Sequence, residues 1–245
     1  MRSRLLLTVI AGAAALALAG CTAWRLGQAR AMAHKSVPLQ HTPDHAALRM
    51  LVVGDSTGVG TGASAPEASL PGLLARDHPR LWIENRAQDG ATFARVAGQL
   101  ERAGQFDIVL LMAGGNDVIR LRSPQDLRDD VERALALATE RAGHVIVMPA
   151  GNVGNAPFFF PPVSWEMTRR SRALHRIVRE AAARHGATYV DLFRERDDDP
   201  FVRQPGLNAR DGLHPSDAGY REWYATLMAQ STLGDRLAPA RNPAP

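Results

Sequence analysis

Residues 48–60 read Leu-Arg-Met-Leu-Val-Val-Gly-Asp-Ser-Thr-Gly-Val-Gly, an apolar run at Met50–Val53 that stops at a polar, glycine-rich turn. So short a run with no polar side chain is what a strand covered on both faces requires, because alternate side chains point to opposite sides of the sheet and neither side meets water. Residues 81–84, 108–112, 145–148 and 188–190 form further short runs that read as strands. Between them lie stretches of helical period. Residues 66–77 and 93–103 read as helices. Ser123 then reads as an N-cap with Pro124 at the first helical position and Asp126 in the first turn, where a carboxylate suits the macrodipole. Leu127, Val131, Leu135 and Ala138 follow at helical spacing. Ser164 is expected to cap a long helix with the stripe Leu174, Ile177, Val178 and Ala181, ending near Gly186. A last helix is expected to start at Ser216 and to bury Tyr220, Trp223, Tyr224 and Leu227. Strands alternating with helices predict an α/β fold, a three-layer α/β/α sandwich on a mostly parallel five-stranded sheet.

The domain so outlined, residues 48–233, is long enough for one sizeable core and too short for two ordinary domains. Charge separates it from the chain ends. The 245 residues carry a formal +4, yet residues 50–234 hold 21 Arg against 23 Asp and Glu, a balance of −2. A basic excess confined to the ends argues against a nucleic-acid-binding domain. At the N-terminus, Arg2 and Arg4 precede an apolar run from Leu5 to Leu18, which reads as a secretory signal over residues 1–20 and is short for a membrane span. Leu18-Ala19-Gly20-Cys21 resembles the lipobox of bacterial lipoproteins, which implies cleavage before Cys21 and lipid attachment to it. Cys21 is the only cysteine, so no internal disulfide forms. The expectation is an extracytoplasmic, membrane-tethered domain, with an uncleaved N-terminal anchor as the alternative. Residues 21–47 read as a lipid-anchored linker and residues 234–245 as a disordered tail.

Three polar blocks carry the chemistry. Ser56 follows the first strand directly and so belongs at the carboxyl end of a parallel strand, where open α/β sheets place their ligands. Its hydroxyl attacks an ester only if a neutral imidazole takes the proton. His214 is the candidate base. Asp211, three residues earlier in Asp-Gly-Leu-His-Pro, can turn back to the other ring nitrogen, fixing the tautomer and stabilising the imidazolium. Gly114-Gly115-Asn116-Asp117 reads alone as a turn; with the other two blocks it supplies an amide N–H for a developing oxyanion. Two overlapping patterns are set aside. Gly-Asp-Ser-Thr-Gly at 54–58 matches a nucleophile-elbow pattern but follows the first strand of the domain rather than several, and the glycines at 58–62 match a dinucleotide fingerprint only loosely.

Together these blocks resemble the SGNH, or GDSL, hydrolase family: Ser56 within Gly-Asp-Ser, Gly90 within Asn85-Arg86-Ala87-Gln88-Asp89-Gly90, Asn116 within Gly-Gly-Asn-Asp, and His214 within Asp-Gly-Leu-His-Pro, in the family's order over most of the domain. The resemblance implies a flavodoxin-like SGNH-hydrolase fold, catalytic Ser56, Asp211 and His214, and an oxyanion hole made of the Ser56 and Gly90 backbone N–H groups and the Asn116 side chain. It also implies a serine esterase working through an acyl-enzyme on lipid, aryl or acetylated-carbohydrate esters, with no cofactor and no metal. An envelope carbohydrate O-acetyltransferase and a non-catalytic envelope-binding lipoprotein stay open as alternatives. Partners expected are an ester substrate and the membrane, not nucleic acid. In Phe158-Phe159-Phe160-Pro161-Pro162 the adjacent rings cannot all point inward, so Phe158 and Phe159 are expected to form a hydrophobic wall beside Ser56. Asp55 and Asp117 are expected to bond nearby backbone amides. His144, His175 and His185 have no acidic residue at a suggestive spacing and are expected to serve no chemistry.

Overall fold

The structure, a computed structural model, describes residues 27, 31 and 33–238. The expected signal segment, Cys21 and all but residues 234–238 of the expected tail lie outside those residues. No helix among the described residues is long and apolar enough to cross a membrane.

Five strands form one sheet: β1 (Leu48–Gly54), β2 (Leu81–Asn85), β3 (Phe106–Met112), β4 (Ala142–Val147) and β5 (Thr188–Tyr189). Their order is β2-β1-β3-β4-β5 and every pairing is parallel, with Met50 opposite Ile108 and Leu48 opposite Leu81. Side-chain alternation sorts the strands into two cores. Leu51, Val53, Val109, Leu111 and Val147 face α3 (Phe93–Glu101), α5 (Pro124–Arg141) and α6 (Val163–His185). Met50, Val52, Ile108, Leu110 and Ile146 face α2 (Leu70–Asp77) and α8 (Asp217–Gln230). Each such side chain, taken fully out of water, contributes roughly 1.5–3 kcal/mol, which is why the strands carry no polar alternation. From β1 the chain runs outward to β2 and then crosses back to β3, so the sheet has its switch point between the carboxyl ends of β1 and β3. Short helices follow both ends, α1 (Ser56–Val59) and α4 (Gly115–Ile119), and another, α7 (Pro200–Arg203), precedes α8.

Several boundaries differ from expectation for local reasons. The stretch 66–77 is broken: Pro66–Ala68 form a 3-10 turn, and the Ser69 hydroxyl then caps α2 by accepting from Gly72 N–H at 3.2 Å. Ser164 does not cap α6, because the chain already turns at Phe160, whose carbonyl accepts from Ser164 N–H at 3.0 Å, and Val163 is helical. Ser123, Gly186 and Ser216 end their helices as expected. Trp223 and Tyr224 are only partly buried, packed at the margin of the second core. The stretch expected as linker is not free throughout: His41 exchanges backbone hydrogen bonds with Ile83 on the outer edge of β2, and Gln40 bonds both backbone groups of Asn85.

Asp117 ties α4 to α3. Thr92 precedes α3 without a side-chain cap, and Asp117 Oδ2 serves instead, accepting from Phe93 N–H at 3.1 Å. The other oxygen, Oδ1, is buried and has no partner among the described residues. Burial therefore pushes this carboxyl up to about 7; the Phe93 amide opposes the shift, and the Asp55 and Asp130 charges add to it. A carboxyl raised in the folded state binds more protons there than in the unfolded chain between its ordinary value of 3.8 and about 7. Stability consequently falls as pH rises through that window, by on the order of 4 kcal/mol from this one group. Asp117→Asn keeps an acceptor for Phe93 and removes the charge. Urea midpoints measured from pH 4 to 8 should fall with pH less steeply in D117N than in the wild type, whereas parallel curves would show that Asp117 carries no buried charge.

Candidate active site

Three segments meet at the switch point. Asp55 leaves β1 and its Oδ1 accepts from both Thr57 N–H (2.9 Å) and the Thr57 hydroxyl (2.7 Å), capping α1 and holding Ser56 in the first helical position. Burial raises the Asp55 carboxyl, with the Thr57 bonds opposing the rise. Asn85, at the end of β2, supports the same turn from below by donating to the Gly58 carbonyl at 2.8 Å.

The base arrives on a pinned loop. Ala209 N–H donates to the His214 carbonyl (2.8 Å) and Ser216 N–H to the Leu207 carbonyl (2.8 Å), so residues 207–216 form a closed hairpin before α8. Inside it Asp211 Oδ1 accepts from the backbone N–H of Leu213 (2.9 Å) and of His214 (3.1 Å), and Oδ2 lies 2.5 Å from His214 Nδ1. A carboxylate can only accept, so Nδ1 carries the proton and Nε2 is left as acceptor. Nε2 lies 2.9 Å from Ser56 Oγ. Burial alone would raise the Asp211 carboxyl, but the bond from His214 and the two backbone amides outweigh it and hold the group below its usual range. Asp211 is thus an ionised, almost fully buried acceptor behind the imidazole.

Two contacts lock the halves of this arrangement together. Ser64 donates to both oxygens of Asp217 at the start of α8, its N–H at 2.7 Å and its hydroxyl at 2.6 Å. Gly62 passes so close that a methyl there would sit 2.4 Å from the Pro215 carbonyl oxygen and 2.9 Å from His214 Cβ. Gly62, the last glycine of the loose dinucleotide fingerprint, therefore lets the Ser56 and His214 loops touch.

Ser56, Gly90, Asn116 and His214 line one cleft of about 390 Å³, whose apolar walls include Ile119, Val153, Leu192, Phe201 and Leu213. Among the described residues no acceptor takes the backbone N–H of Ser56 or Gly90 or the side-chain amide of Asn116. Three donors without an acceptor, beside a hydroxyl bonded to a base, can serve an oxygen that gains negative charge. No group of His, Cys, Asp or Glu among the described residues could hold a metal ion.

Phe158 and Phe159 do not form a wall of this cleft. Phe158 N–H bonds the Gly212 carbonyl at 2.9 Å, its ring meets Phe159 edge-on, and Phe159 packs on the first core while bordering a second depression with Phe160 and Trp165. The wall is built instead by side chains from separate segments of the chain, Ile119, Val153, Leu192, Phe201 and Leu213. His175 has partners that spacing does not reveal: the Tyr189 hydroxyl at 2.6 Å, the Ala150 carbonyl at 2.8 Å and Asp191 at 3.4 Å. His185 pairs with Glu132 at 2.8 Å. Asn155, which lines the cleft and donates to Asp199 at 2.7 Å, had no signal in the sequence beyond lying in a polar loop. Arg120, also on the cleft, had one: it follows Asn116 by four residues, one helical turn.

The chain is similar over about three quarters of its length to three crystal structures: a G-D-S-L family lipolytic protein from Veillonella parvula (18% identity, 76% of this chain and 99% of that one, TM-score 0.60), an extracellular lipase from Streptomyces rimosus (18%, 76% and 100%, 0.59) and an acetylxylan esterase from Geobacillus stearothermophilus (18%, 77% and 96%, 0.58). At these identities the likeness establishes the fold. No curated relative matches by sequence. The model of the GDSL-like lipase/acylhydrolase family matches residues 52–222, more than half of the chain, and the protein therefore belongs to that family.

Proposed function

We propose that the protein is a serine esterase that cleaves carboxylic esters through an acyl-enzyme on Ser56. The observation that carries this reading is the continuous chain Asp211 Oδ2–His214–Ser56 Oγ, 2.5 and 2.9 Å, ending in a cleft with three unengaged N–H groups. Ser56 Oγ attacks the ester carbonyl carbon while its proton passes to His214 Nε2. Asp211 stabilises the resulting imidazolium from behind. The carbonyl oxygen, now negative, is received by Ser56 N–H, Gly90 N–H and Asn116. Collapse breaks the bond to the alcohol oxygen, which takes the proton from His214, and leaves the acyl group on Ser56. Water repeats the sequence and releases the acid.

Apolar walls on the cleft support an acyl or aryl group there, and the similar structures include a lipase from Streptomyces rimosus and an acetylxylan esterase from Geobacillus stearothermophilus. The location belongs to the same proposal and rests on sequence alone: the apolar leader and Leu18-Ala19-Gly20-Cys21 support an extracytoplasmic domain tethered to a membrane by lipid.

A fluorophosphonate probe should label the full chain and fail to label Ser56→Ala; equal labelling of both would remove Ser56 from the chemistry. Asn116→Ala should keep its fold and lower kcat on a p-nitrophenyl ester by roughly 10²–10³. An N116A kcat within twofold of the wild type would deny the amide its role.

A further inference from the structure

We infer that Arg120 is a positioning residue that holds the Gly90 N–H on the oxyanion site, a reading that rests on the esterase function above. Gly90 is the third residue of the turn Gln88–Ala91, closed by Ala91 N–H donating to the Gln88 carbonyl at 3.1 Å, and its φ of +73° is one that glycine adopts without strain. That freedom works against a donor that must point at one place. The peptide units flanking a glycine rotate readily unless something outside the turn holds them.

Three contacts hold this turn. Gln88 N–H donates to the Gly54 carbonyl (3.0 Å), tying the first residue to the end of β1. The Thr61 hydroxyl donates to Asp89 Oδ1 (2.7 Å), fixing the residue before the glycine. Arg120 Nη2 donates to the Gly90 carbonyl (2.8 Å), fixing the peptide unit after the glycine, so that with Asp89 held before it the Gly90 N–H is restrained from both sides. The guanidinium lies against the glycine, since a methyl at Gly90 would stand 3.1 Å from Nη2. No other donor reaches the Gly90 carbonyl among the described residues, and no carboxylate pairs with Arg120 among them.

Position explains why the contact matters. Arg120 lies one turn after Asn116 at the end of α4, so one short helix carries the side-chain donor and grips the loop that carries the backbone donor. Two donors from segments far apart in the chain are thereby set at a fixed separation. A long exposed side chain gives up much rotamer freedom to stay in one place, and here its charge-assisted hydrogen bond offsets that loss.

The test compares R120M and R120K with the wild type on two p-nitrophenyl esters, one neutral and one bearing a carboxylate. A positioning role predicts that R120M lowers kcat about tenfold on both esters, with KM and the melting midpoint unchanged, and that R120K recovers part of the loss. An R120M kcat within twofold of the wild type on the neutral ester overturns the inference, as does a rise in KM for the anionic ester alone, which would make Arg120 a substrate contact. Failure of the esterase reading looks different: the wild type itself would turn over neither ester and take no fluorophosphonate label.

Discussion

The 2.9 Å hydrogen bond between His214 Nε2 and Ser56 Oγ joins residues 158 apart in the chain, and the surrounding structure is arranged to keep it. A single bond of this kind contributes about 1 kcal/mol net, far too little to hold two distant loops against their conformational entropy. The loops are instead held by the two cores, which set α1 and α8 on the sheet, and by the contacts of Ser64 with Asp217, Tyr220 with the Thr61 carbonyl (2.8 Å) and Gly62 with Pro215. Packing does the ordering, and the Ser56–His214 bond reports that it has succeeded.

Three buried carboxyls around the site show how environment divides labour among chemically equal groups. Asp211 is kept ionised by an imidazole and two backbone amides, so it can stabilise a positive charge on His214. Asp55 receives only the Thr57 donors, and burial raises it. Asp117 has one amide and an oxygen with no partner among the described residues, and it rises to about 7. Burial is common to all three and pushes each carboxyl up; only at Asp211 do the donors outweigh it.

Much of this was legible in the sequence, for physical reasons that also explain the failures. Strands such as Met50–Val53 and Ile108–Met112 stand out because a parallel sheet covered on both faces tolerates no polar alternation. Ser56 and Asn116 stand out because short polar blocks end those apolar runs, and His214 because Asp211 stands three residues before it. Ser164 misled because cap preference is local, whereas the start of α6 was decided by the turn at Phe160. Phe158 and Phe159 misled because composition says that a ring will pack against others and not where: Phe159 borders the second depression and Phe158 neither. The partners of His175 and the wall of Leu192, Phe201 and Leu213 are set by tertiary packing and leave no periodic trace. Arg120 lies between these cases: its spacing from Asn116 was visible, but the Gly90 carbonyl it grips was not.

The proposed esterase mechanism places the acyl group on Ser56. Rapid acid quenching during the burst with a p-nitrophenyl ester, followed by peptide mass analysis, measures this directly. One added acyl mass is expected on the peptide containing Ser56, formed in the burst and absent from S56A. Turnover with no adduct, or an adduct on another residue, would contradict it.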